Sequence, residues 1–519
     1  MTSSLGFDLF LSLPLVVLVL GALLLLLLES VSPAKKSDTS IPLGGSSLDG
    51  PATHERAGWI TAAVIFVSAI CAAATGGLAS PGQTAFGGFI YVDPFTQFMV
   101  VVLLFGALLA VLLGLGLLGA QGISARSEYY SLLLFATAGA VMFVSSAELV
   151  TLFVSLEIMS LALYALCGSA LALRRSAESA LKYFLLGSFS SAFLLYGFAL
   201  LYGVTGSTFI ADISRTLAAG VPSASWPVLM FSLGLILVGL VFKIGAVPFH
   251  FWAPDVYEGA PTSVTAYMAC VIKAAACAAT LRVLWVAFDS VHEFWAGAVW
   301  TMAVLTMCVG NLVALRQRGL KRMLAYSSIA HAGYMMVAFL APGSSNGGGA
   351  AILYYLLAYT LMTMGAFAVV LAVTSERDSE REHDDISRFY ELSERSPLLA
   401  ALMALFMLSL AGIPPGLAGL LGKFYIFGAA VKADYVGLVI IGVLNSAVSC
   451  YYYLRVIVAM YFIKAESVEG LPPFPAIRPI TPALLGVLGV CSVGVVLFGV
   501  FPGLLHDSAA VVMMGFERP

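Results

Sequence analysis

Charge is what this chain has least of: 10% of its 519 residues are charged, whereas 61% are hydrophobic. A water-soluble domain must cover its core with polar surface, and this balance, with a mean hydropathy of +1.00, excludes a soluble globular fold. The net charge of −3 is too small to point to any partner, and no nucleic acid is expected. The seven cysteines are scattered, mostly within apolar runs, with no C-x-x-C pair and no clustered histidines. They read as small buried hydrophobes rather than redox centres or metal ligands, so no cofactor and no metal is expected in this chain. One nucleotide motif is present in letters only. "GLGLLG", from Gly114 to Gly119, follows an apolar helix with no strand before it, and it reads as close helix packing.

What fills the chain instead is apolar runs of about 20 residues, each long enough to cross roughly 30 Å of hydrocarbon, about fourteen in all. The expected class is an all-α polytopic membrane protein, with the lipid bilayer as its solvent. The first run, "LFLSLPLVVLVLGALLLLLL", is no cleaved leader: Asp8 rather than a basic residue precedes it, and Lys35 and Lys36 follow. It is expected to remain as a span, with the N-terminus outside. The loops that then fall inside carry sixteen Lys and Arg residues, from Lys35 and Lys36 through Arg316, Arg318, Lys321 and Arg322 to Lys464 and Arg478, against Arg215, Lys432 and Arg518 outside. A span missed in the middle would scramble that asymmetry, so both termini are expected on the outer side. The charged stretch 375–395, "SERDSEREHDDISRFYELSER", is expected on the inner face, as a solvated connector in preference to a surface helix.

Two stretches interrupt the apolar pattern at comparable places. "FKIGAVPFHFWAPDVYEGAP" begins at Phe242, and "LSLAGIPPGLAGLLGKFYIF" at Leu408. Paired Gly/Pro interruptions point to a transporter built from repeats, whose discontinuous helices expose backbone polar groups to an internal hydrated site. Around them sit ionisable residues that hydrocarbon penalises by about 2.5 to 3.5 kcal/mol each. Glu157, Lys243, Lys273 and Lys423 are flanked by apolar residues on both sides and call for a functional explanation. Lys182 has a second reading as the ion-pair partner of Glu178, four residues earlier, and His331 as a neutral imidazole bonded to a carbonyl. Arg282 and Arg455 read as interfacial anchors.

Proton relay suits these groups. Burial and like-charge neighbours favour the neutral form of a lysine, an adjacent carboxylate favours the charged form, and making or breaking one pair can load or unload a proton. Pro248 removes a helix hydrogen bond, which lets water and His250 approach Lys243.

The stretches "KIGAVPFHFWAPDVYEGAPTSVTAYMACVIKAA", "GLKRMLAYSSIAHAGYM" and "SLAGIPPGLAGLLGKFYIF" resemble the antiporter-like membrane subunits of respiratory complex I, and the likeness covers nearly the whole chain. The M type has glutamate where this chain has Lys423, and the L type is longer, so the resemblance is to neither. It implies two inverted five-helix bundles, helices 4–8 and 9–13, each with a discontinuous helix. The expected divisions are 1–128 (helices 1–3), 129–290 and 291–465 (the two bundles) and 466–519 (the last helix). It further implies a hydrophilic axis through Glu157, Lys182, Lys243, Lys273, His331 and Lys423, with Glu157 and Lys243 as a switching pair. By the same resemblance the chain would be a non-redox, proton-translocating subunit of a bacterial inner-membrane NADH:quinone oxidoreductase. Its partners would be subunits M, K, J and A, with quinone and iron–sulfur sites in other chains. A monovalent cation/proton antiporter subunit shares the fold and stands as the alternative. It would favour more intramembrane acids than Glu157.

Overall fold

A computed structural model describes residues 5–31, 51–123, 127–171, 173–343, 347–374, 384–464, 477 and 480–516. Without water to satisfy backbone groups, a spanning chain must satisfy them within its own helices. The described residues are accordingly helical almost throughout. After a short helix at Leu5–Leu11, the first three long helices are α1 (Leu13–Val31), α2 (Pro51–Gly76) and α3 (Pro94–Gly114). They are followed by α4 (Ser127–Ser145), α5 (Leu149–Cys167), α6 (Arg174–Thr205), α7 (Trp226–Ile244), α8 (Trp252–Gly259) and α9 (Thr262–Ala287). Next come α10 (His292–Ala314), α11 (Leu320–Phe339), α12 (Gly348–Val373), α13 (Pro397–Ala411), α14 (Leu417–Lys432) and α15 (Val436–Phe462). The helices α16 (Pro482–Val500) and α17 (Gly503–Met513) close the chain. A two-stranded hairpin, Thr84–Ala85 with Ile90–Tyr91, precedes α3.

Twelve of the described helices are long and apolar enough to cross a membrane. The difference from the expected fourteen has a local cause. The helix α11 has the length but carries Lys321, Arg322 and His331, and α13 and α14 are the two short halves of one interrupted span. The helix α9 is wholly buried and α12 almost wholly so, forming the centre of the molecule, whereas no more than about a third of α1, α2, α15 and α16 is buried.

The two halves of the chain repeat one another in their backbone bonds. Where α5 begins, the Leu149 N–H donates to Thr208 O (2.9 Å) and the Ile210 N–H to Ala147 O (3.0 Å). Where α11 begins, the Leu320 N–H donates to Asp384 O (2.7 Å) and the Ile386 N–H to Arg318 O (3.0 Å). The interruptions match as well. Gly245 and Ala246 both donate to Val241 O at the end of α7, and Gly412 and Ile413 both donate to Leu408 O at the end of α13. Both glycines are left-handed (φ 79° and 80°), the conformation that ends a helix cheaply only at glycine. Both interruptions also contain a cis prolyl bond, Val247–Pro248 and Pro414–Pro415.

This pairing corrects one expectation. Of the charged stretch 375–395, residues 375–383 lie outside the described residues, as do Lys35, Lys36, Arg126, Arg478 and Arg518. The remainder is no solvated connector: it pairs with the start of α11 and buries Ile386 and Phe389. A second correction concerns the arginines. Arg282 of α9 is no interfacial anchor. Its side chain and that of Asp93 are each 3% exposed, joined by two bonds of 2.8 and 2.9 Å, with Thr96 Oγ1 accepting a third at 2.8 Å. Asp93 also caps α3 through the Thr96 N–H, so this pair ties α3 to α9. Arg455 donates to the carbonyls of Leu315 (2.9 Å) and Gln317, closing the end of α10.

Glycines set how closely the leading helices of each half approach. A Cβ at Gly139 of α4 would lie 2.6 Å from the Met159 nitrogen of α5, and one at Gly310 of α10 would lie 2.6 Å from the Ala330 nitrogen of α11. Gly139→Ala and Gly310→Ala are therefore expected to destabilise the purified protein by about 1–3 kcal/mol each. Gly234→Ala, where nothing lies within 4 Å, should leave it unchanged. Heating in detergent followed by size exclusion reads this directly, and equal melting of all three variants would disprove the close approach. Arg282→Met should cost about 3–5 kcal/mol by leaving the Asp93 carboxylate buried and unpaired, and adding Asp93→Asn should recover much of the loss. A double variant as unstable as the single one would show that the pair is not what holds α3 to α9.

Candidate functional site

Lys243 occupies the last turn of α7, where the helix is about to break. Its ammonium group donates to the Tyr183 hydroxyl of α6 (3.2 Å) and lies over the Tyr183 ring (4.9 Å) and the Tyr164 ring of α5 (5.6 Å). The break behind it is mended from two sides. The Trp252 indole N–H donates to Phe242 O (2.9 Å), and the Thr306 hydroxyl of α10 accepts from the Val247 N–H (2.9 Å).

Lys273 sits on α9 immediately after a π-helical turn, Met268–Ile272, a distortion that frequently marks functional positions. It donates to Ser328 O (2.6 Å) and to the Ser328 hydroxyl of α11. The neighbouring Ser327 bonds the Tyr453 hydroxyl, Tyr453 bonds His331 Nε2 (2.9 Å), and His331 Nδ1 bonds the Tyr355 hydroxyl. The buried Ser327–Tyr453–His331–Tyr355 file and the Lys273–Ser328 bonds thus meet at two adjacent serines of α11. The partners of His331 are two tyrosines, not the carbonyl that its alternative reading expected.

Lys423, on α14, reaches back across the second break. It donates to Leu410 O (3.1 Å) and Ala411 O (2.9 Å), the last carbonyls of α13, and to the Ser446 hydroxyl of α15 (2.9 Å). An ammonium has three N–H donors, and all three are used here. The positive group also lies where the carbonyl end of a helix favours a cation. Its ammonium is 5.1 Å from the centre of the Tyr334 ring, and that ring meets His331 edge-on.

Lys243, Lys273, His331 and Lys423 are all buried, and the last three are linked through hydroxyls and rings. The other expected residues stand differently. Glu157 is half-buried on α5, with Oε1 enclosed and no hydrogen-bond partner, and among the described residues no ion pair joins it to Lys243. His250 is buried between α7 and α8, its ring against Phe251 and its Nδ1 without a partner. Lys182 is not enclosed by the protein: its side chain is 42% exposed and pairs with Glu178 (2.8 Å) and Asp255 (2.7 Å). Its Glu178 reading matches this geometry. Asp255 and Glu258 of α8 in turn pair with Arg322 of α11 (2.8 and 2.7 Å), so a half-exposed ion cluster bridges the two halves of the chain.

Sequence reasoning passed over Asp255, Arg322 and the tyrosines at 183, 355 and 453. Asp255 stood inside the first interrupted stretch and was the one available signal. A tyrosine in an apolar run looks like any aromatic until its hydroxyl partner is known.

Membrane-length helices, two of them broken beside a lysine, and a buried file of cationic and imidazole groups define an antiporter-like membrane protein. The family described as NADH:quinone oxidoreductase/Mrp antiporter, TM matches residues 146–449, and the chain belongs to it. The chain is 46% identical over 426 residues to NADH-quinone oxidoreductase subunit N of Trichlorobacter lovleyi, covering 82% of this chain and 85% of that one. To the subunit N of Myxococcus xanthus it is 41% identical over 519 residues, covering 95% and 94%. Among solved structures, a chain of respiratory complex I from Thermus thermophilus with bound aureothin superimposes with a TM-score of 0.76 at 35% identity, covering 96% of this chain and 99% of that one. A chain of the Mrp complex from Dietzia sp. matches with a TM-score of 0.80 at 21% identity, covering 100% and 98%, a likeness of fold alone.

Proposed function

We propose that this chain is a proton-translocating membrane subunit of an NADH-quinone oxidoreductase, corresponding to subunit N. The observation that carries the reading is the buried file itself. Lys243, Lys273, His331 and Lys423 are held by hydroxyls, rings and carbonyls, and among the described residues none of them is ion-paired with an acid. Groups held in this way can gain and lose a proton without leaving a carboxylate stranded. Lys423 illustrates the step. Its ammonium saturates three acceptors, and on losing a proton it keeps two N–H bonds and releases one acceptor to a water or a neighbouring group. Glu157 is then a charge that favours a proton on Lys243 when the two approach, and Lys182 and His250 stand at the entrance to that lysine.

The two halves, 129–290 and 291–465, are the repeated units of this mechanism, with 1–128 and 466–519 as the flanking segments, whose described helices α1–α3 and α16 pack against them. Each unit crosses the bilayer an odd number of times, so the second enters from the opposite side and the two are inverted. Excess basic residues on one set of loops favour the inner side for those loops and the outer side for both termini, in a bacterial inner membrane. Electron transfer from NADH to quinone would proceed in other subunits, with this chain contributing translocation and no cofactor. Subunits M, K, J and A are the proposed neighbours.

The fold is shared with the Mrp complex, which keeps a cation/proton antiporter as the second reading. Glu157 as the one acid on the axis favours the first.

The test is Lys423→Arg in the assembled complex. Arginine keeps the charge and the donors but holds its proton at a pKa above about 12. Assembly should be normal, and the proton gradient formed per NADH oxidised in proteoliposomes should fall severalfold, as with Lys423→Ala. Undiminished pumping by the arginine variant would mean that a fixed charge suffices at this position.

A further inference from the structure

We propose that Tyr183 and Trp252 are further positioning residues for Lys243, holding its ammonium group at the helix break and separating it from the half-exposed Lys182–Asp255–Arg322 cluster. The inference rests on the proton-relay reading above and deepens it.

The geometry is specific. Tyr183 supplies the hydroxyl that accepts from Lys243 (3.2 Å), and its ring lies beneath the same ammonium (4.9 Å). Trp252 stacks on Tyr183 with ring centres 4.6 Å apart and planes 12° apart, and Tyr164 meets Tyr183 edge-on at 4.9 Å. The Trp252 indole also donates to Phe242 O, the residue just before the lysine. Trp252 thus grips the lysine's backbone with one edge and its hydroxyl partner with one face. Both side chains are buried.

The same two elements carry the ion cluster. Lys182 precedes Tyr183 on α6, and Asp255 follows Trp252 by about one turn on α8. The Lys182–Asp255 pair at 2.7 Å therefore clamps α8 to α6 and seats the indole on the tyrosine. Arg322, at 2.8 Å from Asp255, brings the clamp under the control of α11, the helix that carries Ser328 and His331. Loss of the clamp would unseat Trp252 and open Lys243 to the half-exposed side. The titratable groups that face the lysine and its partner are Glu157, Tyr164 and Cys167 from α5, Tyr183 from α6 and Tyr257 from α8. Of these, Tyr183 is the one bonded to it.

Removing the Tyr183 hydroxyl takes an acceptor from the ammonium, so a lower pH is needed to keep Lys243 protonated. In proteoliposomes of the assembled complex, measured as protons moved per NADH from pH 6 to 9, Tyr183→Phe should move the alkaline limb of pumping about one pH unit toward acid, with wild-type pumping restored near pH 6. Trp252→Phe keeps an apolar ring, narrows the platform under Tyr183 and should move the limb the same way by less. It carries the test if Tyr183→Phe does not assemble. A pH-independent loss, or no change, in the variant that assembles would reduce these rings to packing and overturn the inference. Lys243→Ala is the control that separates the two claims. If it pumps normally, the relay reading itself fails; if it fails to pump while the limb stays in place in the ring variants, only the present inference is lost.

Discussion

A helix broken inside a membrane leaves carbonyls without their helical partners, and the protein's interior is organised around how two such breaks are mended. At the end of α7, Val241 O receives two backbone N–H groups and Phe242 O receives the Trp252 indole. At the end of α13, Leu408 O is treated identically, but Leu410 O and Ala411 O are satisfied by the ammonium of Lys423. Each unmended carbonyl in lipid would cost several kcal/mol, so these donors are structural requirements as much as functional ones. The second break has made a charged group part of its mending. The first has kept the lysine beside the break and given the mending to a neutral indole.

That difference leaves the two halves alike in backbone and unlike in chemistry. Lys243 precedes its break and Lys423 follows its own, so the repeat does not place them at equivalent positions. Between them, α9 and α11 supply Lys273, Ser328 and His331, and tyrosines from α12 and α15 complete the file. The central helices, α9 and α12, are buried on all sides, which allows a polar file to run through them without meeting lipid. The arrangement favours movement of protons over movement of a larger hydrated ion, since its members are hydroxyls, amines and an imidazole enclosed by the protein.

Charge elsewhere in the molecule is used differently. Arg282 and Asp93 are fully buried and mutually bonded, a fixed fastening between α3 and α9. Lys182, Asp255, Glu258 and Arg322 are half-exposed and share partners across α6, α8 and α11. The pair is locked in the interior, whereas the cluster joins three helices at the surface of the chain.

The amino-acid sequence by itself determined the class of protein and the places where its helices break. Long apolar runs admit only spanning helices, and glycine followed by proline cannot continue one whatever surrounds it. It also marked Glu157, Lys243, Lys273 and Lys423 as intramembrane charges with no nearby polar segment to offer them an exit; the three lysines are enclosed and Glu157 only half so. Partners were decided only by tertiary structure. Arg282 and Lys182 look alike in a string of letters, yet one finds Asp93, 189 residues away in sequence, and the other finds Asp255, 73 residues away. Tyr183, Tyr355 and Tyr453 carry no mark in their own apolar runs that separates them from packing aromatics. A hydroxyl becomes part of a file only when another helix brings a lysine or an imidazole within about 3 Å of it, and that distance is a property of the packed bundle.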